Sequence, residues 1–97
     1  MMDDESLSGE GDVYVKKTRE AIGRFHYSLK TYRRDGGRLR HTDAEIALDA
    51  ANGRRFWSEG VTLVLRTKER RYLDFFVSRV SGDHIEVTAT GGLRDEM

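Results

Sequence analysis

The sequence predicts an α+β fold in which a small antiparallel sheet packs with one or two helices. Thr42 and Glu45 have the spacing of a helix capping box and precede several alanines. Three runs rich in β-branched and aromatic residues follow Gly60, and the short connections between them favour an antiparallel meander. The sheet is therefore expected to contain this three-stranded C-terminal meander and one strand from the N-terminal half.

Residues 1–12 are predicted to form a disordered acidic tail. They contain five acidic residues, no basic residue and no apolar run, so they have too little apolar surface to bury. A single domain is then expected over residues 13–92, and residues 93–97 should fray. Outside the tail the chain holds twelve acidic against seventeen basic residues, thirteen of which are arginine.

The composition excludes several classes of protein. The 97 residues include no cysteine, which excludes disulfides, thiolate metal sites and thiol catalysis. No signal-peptide pattern and no run of about 18 apolar residues is present, so a cytoplasmic location without membrane contact is expected. No glycine-rich phosphate-binding motif occurs, and no cofactor is expected.

The segment between Val13 and Arg34 allows two interpretations. Apolar residues from Val15 to Tyr32 recur at spacings of three and four, as on one face of a helix. Residues 24–31 also alternate between apolar and polar side chains, as in a strand. Gly23 would weaken a continuous helix by about 1 kcal/mol but suits the position after a helix end. We favour a helix over residues 14–22 followed by a strand over residues 24–33; one long helix is the alternative.

Later elements follow from turn and capping signals. Residues 34–37 read Arg-Asp-Gly-Gly, which predicts a tight turn before a short strand over residues 38–41. A helix is expected from Thr42 to the helix-ending pair Asn52-Gly53. Residues 54–60 then form a connection to strands over residues 61–67, 71–80 and 84–90.

A two-residue turn at Gly82-Asp83 fixes the expected register of the last hairpin. It pairs Arg79 with Glu86 and Val80 with Ile85, and it brings Phe76 opposite Ala89. This register predicts an apolar face that excludes Leu73 and Phe75 and consists of Tyr72, Phe76, Val80, Ile85 and Val87.

The candidates for chemistry are few. His84 and Glu86 share one strand face, and Arg79 lies across the hairpin, so the three could form an acid–base–cation cluster. The cross-strand ion pair is the structural alternative. His26 and His41 fall in no metal-ligand pattern, and no metal site is expected.

Arginines concentrate in the predicted loops and beside aromatic residues. Arginine next to exposed aromatics is typical of surfaces that contact phosphates and stack on bases. The predicted binding residues are Arg33, Arg34, Arg38, Arg40, Arg54, Arg55 and Trp57.

A helical first half followed by a three-stranded meander, in a chain of this size, resembles the small RelE-type ribonuclease toxins. The resemblance implies RNA cleavage by scattered basic, tyrosine and carboxylate side chains, and Tyr72, Arg79 and Glu86 would take these roles.

The leading hypothesis is a non-enzymatic binding or regulatory module. Both faces of the predicted strands carry apolar residues, which favours a homodimer. Such a module would meet a protein or nucleic-acid partner through a sheet face and its arginine-bearing loops. Direct RNA or DNA binding and a ribonuclease-like toxin are the two alternatives.

Overall fold

Antiparallel strands make up most of the structure, a computed structural model that describes residues 5–34 and 39–96. The predicted α+β fold is therefore wrong: one short helix accompanies a six-stranded sheet. The elements are β1 (Glu5–Val15), β2 (Ala21–Arg34), β3 (Leu39–Ile46), α1 (Ala50–Glu59), β4 (Thr62–Arg66), β5 (Tyr72–Ser81) and β6 (His84–Ala89).

The strands are ordered β3-β2-β1-β4-β5-β6, and every neighbouring pair is antiparallel. Two consecutive meanders, β1–β3 and β4–β6, are thus joined side by side through β1 and β4. The sheet curls until Cα atoms of β3 and β6 come within 8 Å of each other, which gives a nearly closed barrel. The predicted C-terminal meander exists, but it is only half of the sheet.

The predicted acidic tail contributes the central strand. Residues 5–12 belong to β1, which pairs with β2 on one side and β4 on the other, so the prediction of disorder is wrong there; residues 1–4 lie outside the described residues. Its inward positions alternate as in any half-buried strand, but two of them are Gly9 and Gly11, which hid the pattern. Glu10 and Asp12 face outward, where Glu10 Oε1 lies 3.6 Å from His26 Nε2 and Asp12 Oδ1 lies 3.9 Å from Arg24 Nε.

The predicted helix over residues 14–22 is also wrong. β1 continues to Val15, whose N–H donates to the Glu20 carbonyl (2.9 Å) across a tight turn. Ala21 then begins β2, which confirms the predicted strand over residues 24–33. The spacing of three and four arose because two strands and their turn happened to place apolar residues at helical intervals.

The only helix of the described residues lies later than predicted. Residues 42–46 continue β3, and the Thr42 hydroxyl bonds to that of Thr31 (3.2 Å) instead of capping a helix. The true N-cap is Asp49, whose carboxylate accepts the Asn52 N–H (2.8 Å). Residues 54–59, predicted to be a connection, are helical, and Gly60 ends the helix with a left-handed φ of 64°. The tight turn predicted at residues 34–37 falls mostly outside the described residues.

The core fills the inside of the curled sheet. Val13, Leu63, Leu65, Leu73 and Phe75 are all 0% exposed, and burial of each such side chain contributes about 1.5–3 kcal/mol. The prediction that Leu73 and Phe75 lie outside the apolar cluster is therefore wrong. Phe56 of α1 is buried in the same cluster, so the helix covers part of the core.

A β-bulge explains the wrong face. The predicted pairs Arg79–Glu86 and Val80–Ile85 are confirmed, but the register shifts between Val77 and Arg79, and Phe76 pairs with Thr88 instead of Ala89. The additional residue, Ser78, donates to the Glu86 carbonyl (3.2 Å). Strands with a bulge lose strict alternation, and Phe76 consequently faces outward.

The chain beyond β6 returns to the sheet. Two backbone hydrogen bonds, of 2.7 and 2.8 Å, join Arg94 to Tyr72. The prediction that the chain frays from residue 93 onward is therefore wrong at Arg94. The Arg94 guanidinium and the Lys16 amine both contact the Asp74 carboxylate at 2.5 Å. Within the described residues, the helix is too short and too polar to cross a membrane.

A substitution at Gly11 tests how closely β1 and β4 must approach each other. A Cβ atom at this position would lie 2.3 Å from the backbone oxygen of Arg66, and backbone cannot move aside without disturbing the ladder. Gly11→Ala should therefore lower the free energy of unfolding by about 2–3 kcal/mol, measured by urea denaturation. Gly91→Ala is the control, because nothing lies within 4 Å of its added Cβ; equal losses for both variants would contradict the constraint.

Candidate functional site

The two edge strands of the sheet face each other across a gap, here called the seam, between β3 and β6. They stand at opposite ends of the strand order, and no backbone hydrogen bond joins them in the part of the chain that the structure describes. Since β3 and β6 run antiparallel, their exposed backbone edges are oriented as two strands of one ladder would be.

The hydrogen-bond pattern shows which backbone groups point into the seam. Ala47 N–H donates to the His26 carbonyl (2.9 Å), and Thr90 N–H donates to the Asp74 carbonyl (3.0 Å). Backbone groups of successive residues alternate in direction, so every second residue of each edge strand faces the seam instead of its neighbour strand. The Ile46 carbonyl alone is already occupied, by the Leu48 N–H (2.9 Å). The seam-facing residues are Thr42, Ala44 and Ile46 on β3, and Ile85, Val87 and Ala89 on β6.

The core is less tightly covered at the seam than elsewhere. The inward side chains of Ala44, Ile85, Val87 and Ala89 pack against the core but are only partly buried. Ala44 and Ala89 are also small, so they leave room between the two strands. The apolar surface there is accessible to a further side chain.

Two clefts follow the seam. One, of about 650 Å³, crosses it beside His26, Glu45, Ile85 and Glu86. The other, of about 660 Å³, lies between residues 42–45 of β3 and residues 87–91. Together they extend along the whole length over which β3 and β6 face each other.

The outer rim of the seam is acidic. Asp43 and Glu45 on β3 and Glu86 on β6 are exposed, and no Lys or Arg side chain of the described residues forms an ion pair with them. Glu86 Oε1 lies 3.5 Å from Nε2 of His84. Glu45 lies opposite Ser28 in the register, so no cation balances it across the strand pair.

The predicted catalytic candidates are only partly assembled. His84, Glu86 and Arg79 lie together on the outer face of the β5–β6 hairpin, at one side of the seam. Tyr72 is at the other end of β5, roughly 20 Å from Arg79 at the rise of an extended strand. The arrangement implied by the ribonuclease resemblance is absent, and the fold that suggested it is not the fold observed.

His26, for which no site was predicted, lies on β2 and lines the same cleft as His84. Its position depends on how the sheet curls, and no local pattern in the sequence signals it. Among the described residues, no three His, Asp or Glu side chains converge as a metal site would require. The fold therefore brings two histidines to one cleft without making them ligands of one ion.

Three of the predicted binding residues, Arg54, Arg55 and Trp57, lie on α1. Arg54 donates to the Gly82 carbonyl (3.1 Å), and Arg55 lies 3.6 Å from Glu59, so both serve contacts of α1. Trp57, 50% exposed, is on the same helix. The backbones of Arg33 and Arg34 lie at the end of β2, and that of Arg40 lies at the start of β3. The side chains of these three arginines and of His41, and the whole of Arg38, lie outside what the structure describes.

Tyr27 is buried and contributes to the lining of the first cleft. Its hydroxyl accepts the Lys68 N–H (3.2 Å) and donates to Glu69 Oε1 (3.2 Å). Burial, and secondarily the Glu69 carboxylate, raise the pKa of Tyr27, since both disfavour the tyrosinate. Both hydrogen bonds of the hydroxyl are made to the turn between β4 and β5.

Comparison of the chain with protein-family models, curated proteins and solved structures finds no match. The site must be interpreted from its own geometry.

Backbone amide exchange should reveal the open seam. The amides of Ala44 and Val87 face the gap, whereas those of Glu45 and Thr88 belong to ladders with β2 and β5. We expect the first pair to exchange about tenfold faster or more than the second, measured by NMR. Equal protection of all four would mean that β3 and β6 bond directly and that no seam exists in solution.

Tyr27→Phe should lower the free energy of unfolding by about 1–2 kcal/mol at neutral pH, because the Lys68 N–H loses its acceptor. The unfolded tyrosine ionises near pH 10, before the folded one. Wild-type stability due to Tyr27 is thus complete below that pH and is lost as the pH rises through the raised pKa. Urea unfolding at neutral and alkaline pH should show the two proteins converging above about pH 10; a constant difference would contradict this.

Proposed function

We propose that this protein is a non-enzymatic binding module that accepts an extended segment of a partner protein by strand addition at the seam. The observation that carries the proposal is the pair of facing strand edges that share no ladder in the described chain. Exposed edges are templates for an added strand, and proteins normally cover or interrupt them.

An added strand would meet two edges at once. Because β3 and β6 are antiparallel to each other, the segment would be antiparallel to one and parallel to the other. Each net hydrogen bond contributes about 0.5–1.5 kcal/mol. The segment would also cover the partly buried side chains of Ala44, Ile85 and Val87.

Binding requires the seam to widen. Adjacent strands lie about 4.8 Å apart, so a strand between two others needs about 9.6 Å, whereas β3 and β6 approach to within 8 Å. β3 is an edge strand held to the sheet by β2 alone. An outward swing of the β2–β3 hairpin, by about 2 Å or more, would provide the space.

Nucleic-acid binding has less support. On the outer face of the central strands, Asp74 neutralises both Lys16 and Arg94. Arg54 and Arg55 make contacts within the protein. Phosphate binding would have to replace these interactions, while the seam offers groups that have no partner within the described residues.

A homodimer remains an alternative use of the same edges. In that case β3 or β6 of a second copy would be the added strand, in keeping with the dimer that the sequence suggested. Sedimentation of the wild type and of Val87→Pro distinguishes the two uses. If the wild type is a dimer and Val87→Pro is a monomer, the seam serves self-association.

Proline at a seam-facing position tests strand addition. Val87→Pro removes an N–H that points into the seam and leaves the ladder bonds to β5 in place. Peptides selected from a random display library on the wild type should bind this variant about tenfold more weakly or worse. Val87→Ala is the matched control, because it loses the same side-chain contacts but keeps the N–H.

Equal binding to wild type and Val87→Pro would contradict strand addition. If the proline variant fails to fold, the selected peptides can instead be N-methylated at alternate residues. N-methylation removes backbone N–H donors from the peptide and leaves the protein unchanged. The affinity of the methylated peptide for the wild type should fall by about tenfold or more, as predicted for the proline variant. Urea denaturation of each variant verifies that it is folded.

A further inference from the structure

We infer that the segment accepted at the seam is a cationic strand, with Lys or Arg on its outward side and small apolar residues on its inward side. The inference rests on the proposed strand addition and specifies the chemistry of the partner.

The outward side chains of an added strand would lie between acidic rows. Asp43 and Glu45 of β3 would lie on one side of it and Glu86 of β6 on the other. The Cβ atoms of residues directly opposite each other on adjacent strands are about 4.5–5.5 Å apart, which is close enough for ion pairs. Lys or Arg at these positions would pair with carboxylates that have no Lys or Arg ion-pair partner among the described side chains; Glu86 has His84 alone, at 3.5 Å. Acidic residues would be repelled.

The charges nearby do not cancel this acidity. In the register, Lys30 lies opposite Asp43 and Arg79 opposite Glu86. Glu45 has no cation opposite it in the register, and Glu10 adds a further carboxylate beside His26. The outer surface around the seam is therefore negative when the histidines are neutral.

The inward side of the segment would meet limited space. The flanking inward positions include Ala44 and Ala89 toward one end and Ile46 and Ile85 toward the other. These leave room for side chains the size of alanine, valine or threonine above a core whose central residues are fully buried. Valine and threonine also suit extended backbone.

The lengths of the facing parts of β3 and β6 determine how many residues of the added segment can pair. Five residues of β3, from Thr42 to Ile46, oppose residues 85–89 of β6. A core of about five extended residues spans roughly 17 Å, and residues beyond it would leave the sheet.

Synthetic peptides test the charge preference directly. The probes are Thr-Lys-Val-Lys-Val-Lys-Thr, its counterpart with Glu in place of Lys, and a shuffled peptide that groups the lysines together. On the wild type, the alternating Lys peptide should bind about tenfold more tightly than either of the others, measured by fluorescence anisotropy. Its affinity should fall as salt rises, because the contacts are exposed ion pairs.

Rim variants assign the preference to the seam. Glu45→Gln combined with Glu86→Gln should remove most of the advantage of the Lys peptide, and Glu45→Lys should favour the Glu peptide. Glu20→Gln is the matched control: it removes an exposed carboxylate from the turn between β1 and β2 and should leave the preference unchanged.

The outcomes separate the two proposals. If Lys and Glu peptides bind equally and Val87→Pro weakens both, strand addition stands and the cationic partner is wrong. A preference for Lys that survives the rim substitutions, a shuffled peptide that binds as well as the alternating one, or no binding of the Lys peptide also overturns this inference. The library selection decides strand addition independently in each case.

Discussion

The β1–β4 ladder is the contact on which the rest of the structure depends. Each half of the chain forms a three-stranded meander, and these two strands join the halves into one sheet. The join requires β1 to pass very close to the end of β4, where the space beside the Arg66 carbonyl admits no side chain at Gly11. Without this contact, Val13 and Leu65 would lose the burial they share at the centre of the barrel, and each meander alone would expose an apolar face.

The same join determines where the free edges meet. Six antiparallel strands in a twisted sheet curl until the first and last approach, and here these are β3 and β6. The interior is filled by large side chains of the four central strands and by Phe56. At the seam, Ala44 and Ala89 contribute little volume. The barrel is thus packed at its centre and thin along the seam, which is why accessible apolar surface and backbone groups outside any ladder coincide there.

The sequence predicted strands best where large residues alternate. β4, β5 and β6 were expected because they are rich in Val, Leu, Ile and Phe, and β2 was expected from Phe25, Tyr27 and Leu29. β1 was missed because its inward positions include glycines and its outward positions are acidic, a composition shared with disordered chain. The part of β3 from Thr42 onward was missed because Thr42, Ala44 and Ile46 fit a strand period while Thr42 and Glu45 fit a capped helix. The seam could not be predicted at all, since it is made by strands that are far apart in the chain and depends on the closure of the whole sheet.

Two states satisfy the seam-facing backbone groups. In one, β3 and β6 move together and bond directly, since Ala44 and Val87 have the orientation of an antiparallel pair. In the other, a strand from a partner enters and bonds to both. Direct closure would place Glu45 and Glu86 side by side on the outer face, and like charges directly opposite are destabilising in a sheet. A cationic strand between them turns that repulsion into two attractive contacts. The carboxylates of the rim would thus disfavour direct pairing of β3 with β6, and the proposed cationic partner rests on the same side chains.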